Sequence, residues 1–551
     1  MMVKNIKISN KVWASAIVLM FLTPSCSLNI DETDSLITKG SSDIFNGIEN
    51  PDGAVTTLYN DISGQAGDQA GLYALTEVTT DELVVPTRGT DWGDNGVWRT
   101  LHAHTWGSTH QYVLNVWNDK NSAVLRATQV LDPLSTKTTT LQAAQAKFAR
   151  AYNMWIVMDF YGQVPFRNPQ DGPSVIPSVK SRSEAYDFIV KDLTEAIAQL
   201  PVGSAGAADK TRPTKAAARF LLAKVKLNAN VYKGAYAGTD LDDVIALVTA
   251  IEADGYSLVG NYFDIFKGPN YTNADVIWSV NAGDGNRMWD GLHYNQGHKD
   301  NAGGGWNGFT TIAEFYDKFQ GPGSTNALGS GQEERRGYTQ TPASTNADNG
   351  GFGFGFQFGQ MYGWRYKDKD GNLTPDQKKN DAGTPYDPVG QVVALKDRVG
   401  NPLIFTKELP GLIGNNELTG IRLLKYSPAN GAFTSGLVMA RFADAHLMRA
   451  EAMLRKGNAG GALTEVNKLR AIRTNTPPLA SLTEATLLDE RGRELYIEGW
   501  RRNDMIRFGA FKGTWQFKGS TEGSTNGHTD LFPIPSSALL SNPNLVQNPG
   551  Y

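Results

Sequence analysis

Twelve tryptophans stand in this 551-residue chain, and the neighbours of three of them bear on chemistry. Trp92 lies in PTRGTDWGDNG, Trp289 in GDGNRMWDG and Trp306 in GGGWNGF, each among Gly, Asp and Asn. Such neighbours build loops, and an indole held on a loop tends to keep a face toward solvent. A sugar ring offers a face of C–H groups that packs flat on an aromatic ring, while its hydroxyls need Asp, Asn, Arg or backbone partners. Indoles set among Asp and Asn supply both, so the pattern predicts carbohydrate stacking; the competing reading of each is a loop residue that covers the core. Trp98, Trp106 and Trp117 weigh toward the core, as do Trp155 and Trp500 inside helical patterns. Nucleobases also stack on indoles, but 52 Lys plus Arg against 56 Asp plus Glu leave no basic excess for phosphates, which excludes a nucleic-acid partner.

Enzyme signatures are thin. No phosphate-cradling G-x-x-x-x-G-K-[ST] occurs. His102 and His104, two apart, would share one side of a strand, but no Cys or acidic triplet completes a zinc set, so they read as structural. His293 and His298 sit in a Gly-rich loop and are better candidates for ligand hydrogen bonds. A glycosidase needs two acids about 5 to 10 Å apart; pairs such as Asp81-Glu82 and Glu333-Glu334 arise by chance among 56 acids. The block ERGRELYIEGWRRNDMIRFG places Glu490, Glu494, Glu498 and Asp504 among arginines, at the three- and four-residue spacing of helical ion pairs such as Glu490 with Arg493, and reads as structural.

The elements that must carry these loops are helices. Apolar and small residues recur at three- and four-residue spacing over 108–130 and 138–161. SRSEAYDFIVKDLTEAIAQLP begins with a Ser-x-x-Glu cap at Ser181 or Ser183 and closes at Pro201; 211–234 and 241–255 follow the same grammar. Late in the chain, 441–458 and 459–473 form a helix, a Gly-Asn turn and a second helix. Ala445, Ala450, Ala452 and Ala462 lie where two helices must approach closely, much as in tetratricopeptide hairpins. A further helix is predicted over 482–509. Between these halves, 281–365 holds 19 glycines in 85 positions and reads as a loop-rich insert. Within it, GGFGFGFQFG alternates Phe352, Phe354, Phe356 and Phe358 on one side of an extended strand, either covering the core or forming an apolar contact surface for a partner.

The first 25 residues read as an export signal: Lys4, Lys7 and Lys11, an apolar stretch from Trp13 to Leu22 too short to span a membrane, then Cys26, the only cysteine. Thr23 stands where lipoprotein signals usually carry Leu. Cys26 is the predicted lipidation site, anchoring the chain to a membrane surface. Cleavage before it leaves 49 basic against 56 acidic side chains, a net charge of −7. Residues 27–50 read as a tether.

Five blocks, QAKFARAYNMWIVMDFYGQVPF, SRSEAYDFIVKDLTEAIAQLP, RPTKAAARFLLAKVKL, DERGRELYIEGWRRNDMIRFG and LFPIPSSALLSNPNLVQNPGY, resemble the SusD/RagB family of outer-membrane lipoproteins, in order and over nearly the whole mature chain. The resemblance implies an all-α fold with tetratricopeptide-like hairpins as scaffold and a loop-rich, Gly/Trp-rich ligand face. It divides the chain into a signal peptide (1–25), a lipid-anchored tether (26–50), an N-terminal helical region with the first Trp loop (51–280), a Gly-rich insert with the ligand face (281–437) and a C-terminal helical region (438–551). It further implies a surface-exposed, non-catalytic lipoprotein of the outer membrane that binds an oligo- or polysaccharide and passes it to a SusC-like TonB-dependent transporter. TEVTTDELVVPTRGTDWGDNG and GGGWNGFTTIAEFYDKFQGPG resemble the branch that binds fructans or β-glucans such as laminarin. On that basis Trp92, Trp306 and Trp289 are the expected stacking rings, with Asp68 and Arg365 as hydroxyl partners. No cofactor is required; family members sometimes carry a structural calcium, but no EF-hand-like spacing places one here. The alternatives are a helical glycoside hydrolase and a tetratricopeptide-like peptide-binding scaffold.

Overall fold

Helix ends in this protein are set by side-chain caps that the sequence carries openly. The computed structural model describes residues 45–172, 174–281, 286–297, 304–345, 351–426, 435–521 and 529–551, so Cys26, the export signal and His298 lie outside the described residues. Among the described residues there are fourteen α-helices: α1 (Pro51–Gly67), α2 (Val97–His102), α3 (Gln111–Val130), α4 (Thr140–Tyr161), α5 (Arg182–Gln199), α6 (Lys215–Leu227), α7 (Ala229–Lys233), α8 (Asp240–Ala253), α9 (Ala313–Tyr316), α10 (Phe442–Arg455), α11 (Ala459–Ala471), α12 (Glu484–Leu495), α13 (Arg501–Arg507) and α14 (Ser536–Ser541). Thr139 and Gln142 form a capping box on α4, which stops at Gly162 with φ +70°. Ser181, not Ser183, caps α5, with Glu184 reaching back. Asp240, Asp242 and Asp243 fill the first turn of α8, where the helix dipole favours negative charge. α1 is absent from the sequence reading because three glycines blur its period, although Asn50 caps it and Pro51 opens it.

Neighbouring helices pack in pairs, α3 with α4, α4 with α5, α6 with α8 and α10 with α11, giving the tetratricopeptide-like scaffold. The main core draws on residues from Val55 to Leu545, and the antiparallel pair β1 (Val276–Val280) and β2 (Leu437–Arg441) ties the two helical halves together. Ala450 and Ala462 meet in a smaller core with Leu447, Val466 and Leu469, while Ala445 and Ala452 face the main one.

The Phe stripe follows its core-covering reading: Phe352, Phe354 and Phe356 are buried, and the Phe356 ring stacks on Tyr496 at 5.4 Å. Three other expectations change. The insert also carries small two- and three-stranded sheets, which an all-helical reading does not include. The helix over 482–509 breaks between α12 and α13, because Ile497 and Gly499 turn to positive φ and donate their N–H groups to the buried carboxylates of Glu82 and Glu77. The end of the expected tether is held as well: Ile48 packs on the core and its N–H donates to Ser135 Oγ at 3.0 Å.

The charged C-terminal block is internal. Glu494 binds Arg473 at 2.7 Å, Arg441 at 2.8 Å and Arg335 at 3.3 Å; Glu490 binds Arg493 at 2.7 Å and Arg335 at 2.8 Å; Asp504 binds Arg491 and Arg507. Burial alone would raise these acids, but the surrounding guanidinium groups outweigh it and bring Glu490 down to about 2 and Glu494 well below the usual range.

Candidate functional site: an aromatic platform on three loops

Two glycine-rich stretches must lie close for Trp306 to stand outward. The Trp306 N–H donates to the Trp289 carbonyl at 3.1 Å, Asn307 to Leu292 at 2.8 Å and Gly305 to His293 at 2.9 Å, so 305–307 runs pinned against 289–293. At Gly305 a Cβ would come within 2.2 Å of the Leu292 carbonyl oxygen, which is why glycine precedes this indole. The Trp306 ring is 53% exposed.

Trp92 is the second ring. It sits at φ +61° just after a turn closed by paired Arg88–Asp91 backbone bonds, and its Nε1–H donates to the Trp306 carbonyl at 2.9 Å. Its inner edge contacts Trp98 at 5.7 Å and Phe309 at 5.8 Å, leaving it half-buried. Gly308 is required beneath it, since a Cβ there would meet the indole at 2.3 Å.

Tyr294 is the third ring, and its position depends on residues far apart in the chain. Its hydroxyl donates to Asp91 at 3.0 Å and the Arg398 guanidinium lies over its ring at 4.0 Å. Arg398 pairs with both Asp91 and Glu417, and Glu417 also accepts from His293 Nε2 at 2.9 Å. Burial pushes His293 down to about 4, so it is neutral; its Nδ1 accepts the Asn295 N–H at 3.0 Å, which puts the proton on the nitrogen facing Glu417. Burial would raise Glu417, but hydrogen bonds from Arg398 and His293 hold it below the usual carboxylate range. Beneath, the buried Arg422 donates to Asn307 Oδ1 at 2.9 Å and to the carbonyls of Glu417, Thr419 and Gly420. Arg88, pushed down to about 9 by burial, donates to the carbonyls of Asn416 and Thr419. The loops around 86–96, 289–297, 304–308 and 396–420 are therefore held as one surface.

Of the residues expected from sequence, Trp92 and Trp306 are brought together. Trp289 is not a stacking ring: it is 8% exposed and part of the core, and what reaches Trp306 is its carbonyl. Arg365 is 7% exposed and donates to the carbonyls of Trp364 and Asn295, so it steadies the Tyr294 loop instead of meeting hydroxyls. Asp68 is exposed just after α1, where its Oδ1 accepts the Ala70 N–H at 3.1 Å. It lies near Asp290, whose two carboxylate oxygens are buried without a hydrogen bond and whose carboxyl is raised well above the usual range by that burial. His102 and His104 bind backbone carbonyls, as structural histidines do. Tyr294, Asp91, Arg398 and Glu417 are absent from the sequence reading; only the neighbouring His293 marks the place.

A family model described as "SusD family" matches residues 274–551. The chain belongs to the SusD family. A second model, "Starch-binding associating with outer membrane", matches residues 55–227. The starch-binding protein SusD of Bacteroides thetaiotaomicron is 27% identical over 533 residues, covering 89% of this chain and 88% of that protein. Among solved structures, a SusD-like protein from Bacteroides fragilis aligns with a TM-score of 0.66 at 19% identity, covering 93% of this chain and 99% of that one. Surface glycan-binding protein A from Bacteroides thetaiotaomicron, in complex with laminarihexaose, aligns with a TM-score of 0.58 at 18% identity, covering 91% and 99%. These structural likenesses are of fold. Proteins of the SusD family are non-catalytic glycan-binding proteins, and the helical scaffold and family membership expected from the five sequence blocks are borne out.

Proposed function

We propose that this SusD family protein binds a neutral oligo- or polysaccharide, a β-glucan such as laminarin or a fructan, across Trp306, Trp92 and Tyr294, and delivers it to a SusC-like TonB-dependent transporter. The observation that carries the reading is the exposed Trp306 indole on a loop whose backbone is bonded to the Trp289 stretch and to the Trp92 indole. A ring fixed in this way loses little freedom when a sugar face packs on it. Each stacking ring contributes roughly 1 kcal/mol, so affinity builds over several sugar units and rises with chain length. The nearest acids, Asp91 and Glu417, are each engaged by Arg398, so their charge is largely offset within the platform, which suits an uncharged glycan. Asp68 at the margin supplies a hydroxyl acceptor. A lipid on Cys26 holds the protein at the outer membrane surface. Affinity gels of laminarin, pustulan, levan, inulin and starch test this: retardation by a β-glucan or a fructan is expected, and free migration through every gel contradicts it.

A further inference from the structure

A hollow of about 450 Å³ opens beside the middle of α1, with no tryptophan among its lining residues. That volume lies in the roughly 300–1,000 Å³ range of small-molecule sites. Its walls come from three segments: Asn60 and Ser63 of α1, Asp209 and Arg212 from the loop that precedes α6, and Tyr271 and Asn281 on either side of β1. The Ser63 hydroxyl donates to the Asn281 carbonyl, which ties α1 to the end of β1. Tyr271 is backed by Gly436, where a Cβ would come to 2.6 Å from its ring, so the ring is held in place.

The polar groups here are left open. The Arg212 guanidinium lies over the Tyr59 ring at 4.6 Å and donates to Thr56 Oγ1 at 3.1 Å and to the Val55 carbonyl at 3.4 Å, but it pairs with no carboxylate among the described residues. Asp209 uses one oxygen to cap Thr211, at 2.8 Å from its N–H and 2.7 Å from its hydroxyl, and its charge reaches the Tyr271 hydroxyl. The side chains of Asn60, Asn281 and Tyr271 make no hydrogen bond among the described residues. One cation, one carboxylate, two amides and a phenol around a hollow of this size match a neutral, polyhydroxylated ring, whose adjacent hydroxyls both donate and accept. A charged ligand would leave either Arg212 or Asp209 opposed.

We infer that this hollow is a second carbohydrate site, taking one or two neutral sugar units and separate from the Trp306 platform. The inference rests on the glycan-binding reading of the protein, but not on the platform.

Hydroxyl-radical footprinting of the full protein tests it, with laminarihexaose, a levan oligosaccharide and maltohexaose as probes. A glycan that protects Trp306 is expected to protect Tyr271 as well, and in Trp306→Ala the protection of Tyr271 persists. Asp209→Ala with Tyr271→Ala should weaken polymer retention two- to fivefold while Trp306 stays protected. Protection of Trp306 with Tyr271 unprotected at saturation overturns the second site and leaves the platform standing. Protection of neither residue by any probe overturns both.

Discussion

The arginine–carboxylate core and the aromatic platform draw on the same residue types, yet they turn them in opposite directions. Glu490 and Glu494 each face several guanidinium groups, and both carboxylates are fully buried. Around Tyr294 the same chemistry, Arg398 with Asp91 and Glu417, sits at the surface and serves to orient a ring. The tryptophans divide likewise: Trp289 and Trp306 are seventeen positions apart on adjoining stretches, and one is in the core while the other stands out. Residue type in a motif therefore says which contacts are available; burial decides whether the protein keeps them for itself.

The core is the more fragile region. Glu494→Ala strands Arg473, Arg441 and Arg335 without their shared partner, and breaking a buried network of this kind costs about 3–5 kcal/mol. Thermal unfolding should show a large drop, and glycan affinity per folded molecule should not change.

A smaller effect separates two kinds of buried acid. Burial raises Glu77 to about 7 beside Glu82, whereas Glu490 is held at about 2. For Glu77 the folded state keeps a proton that the unfolded chain releases, so stability falls as pH rises from about 4.5 to about 7 and its share is constant above that. For Glu490 the sign reverses, and stability is lost as pH falls from about 4.5 toward 2. Urea unfolding across this range should show Glu77→Gln shrinking the decline toward neutral pH, on the order of 1–3 kcal/mol, while the buried Glu82, also raised, keeps a share of it.

On the platform, Trp92→Ala removes both a ring and the N–H that holds the Trp306 carbonyl, and should weaken polymer binding about tenfold, near 1.4 kcal/mol. Arg398→Ala releases Tyr294, Asp91 and Glu417 together. Because Arg398 is half-exposed, thermal stability should barely move, while binding by calorimetry weakens roughly two- to fivefold.

The scaffold was legible from the sequence because its signals are local. Thr139, Ser181 and Gly162 cap and stop helices within a few residues of themselves, and the apolar period does the rest. The break after Leu495 was not legible, since Glu77 and Glu82 impose it from more than 400 positions away. The platform was half legible. Gly, Asp and Asn around Trp92 and Trp306 announced exposed loops, but the same neighbours surround Trp289, which the main core takes in. Tyr294 owes its place to Asp91 and Arg398, 203 and 104 positions off, and no spacing rule connects them.

Titration calorimetry of wild type and Trp306→Ala with laminarin, levan and starch tests the central claim most directly. The account predicts that Trp306→Ala loses more than about tenfold in affinity for whichever polymer binds, above 1.4 kcal/mol, with an unchanged melting temperature. Equal affinity in the two proteins would contradict it.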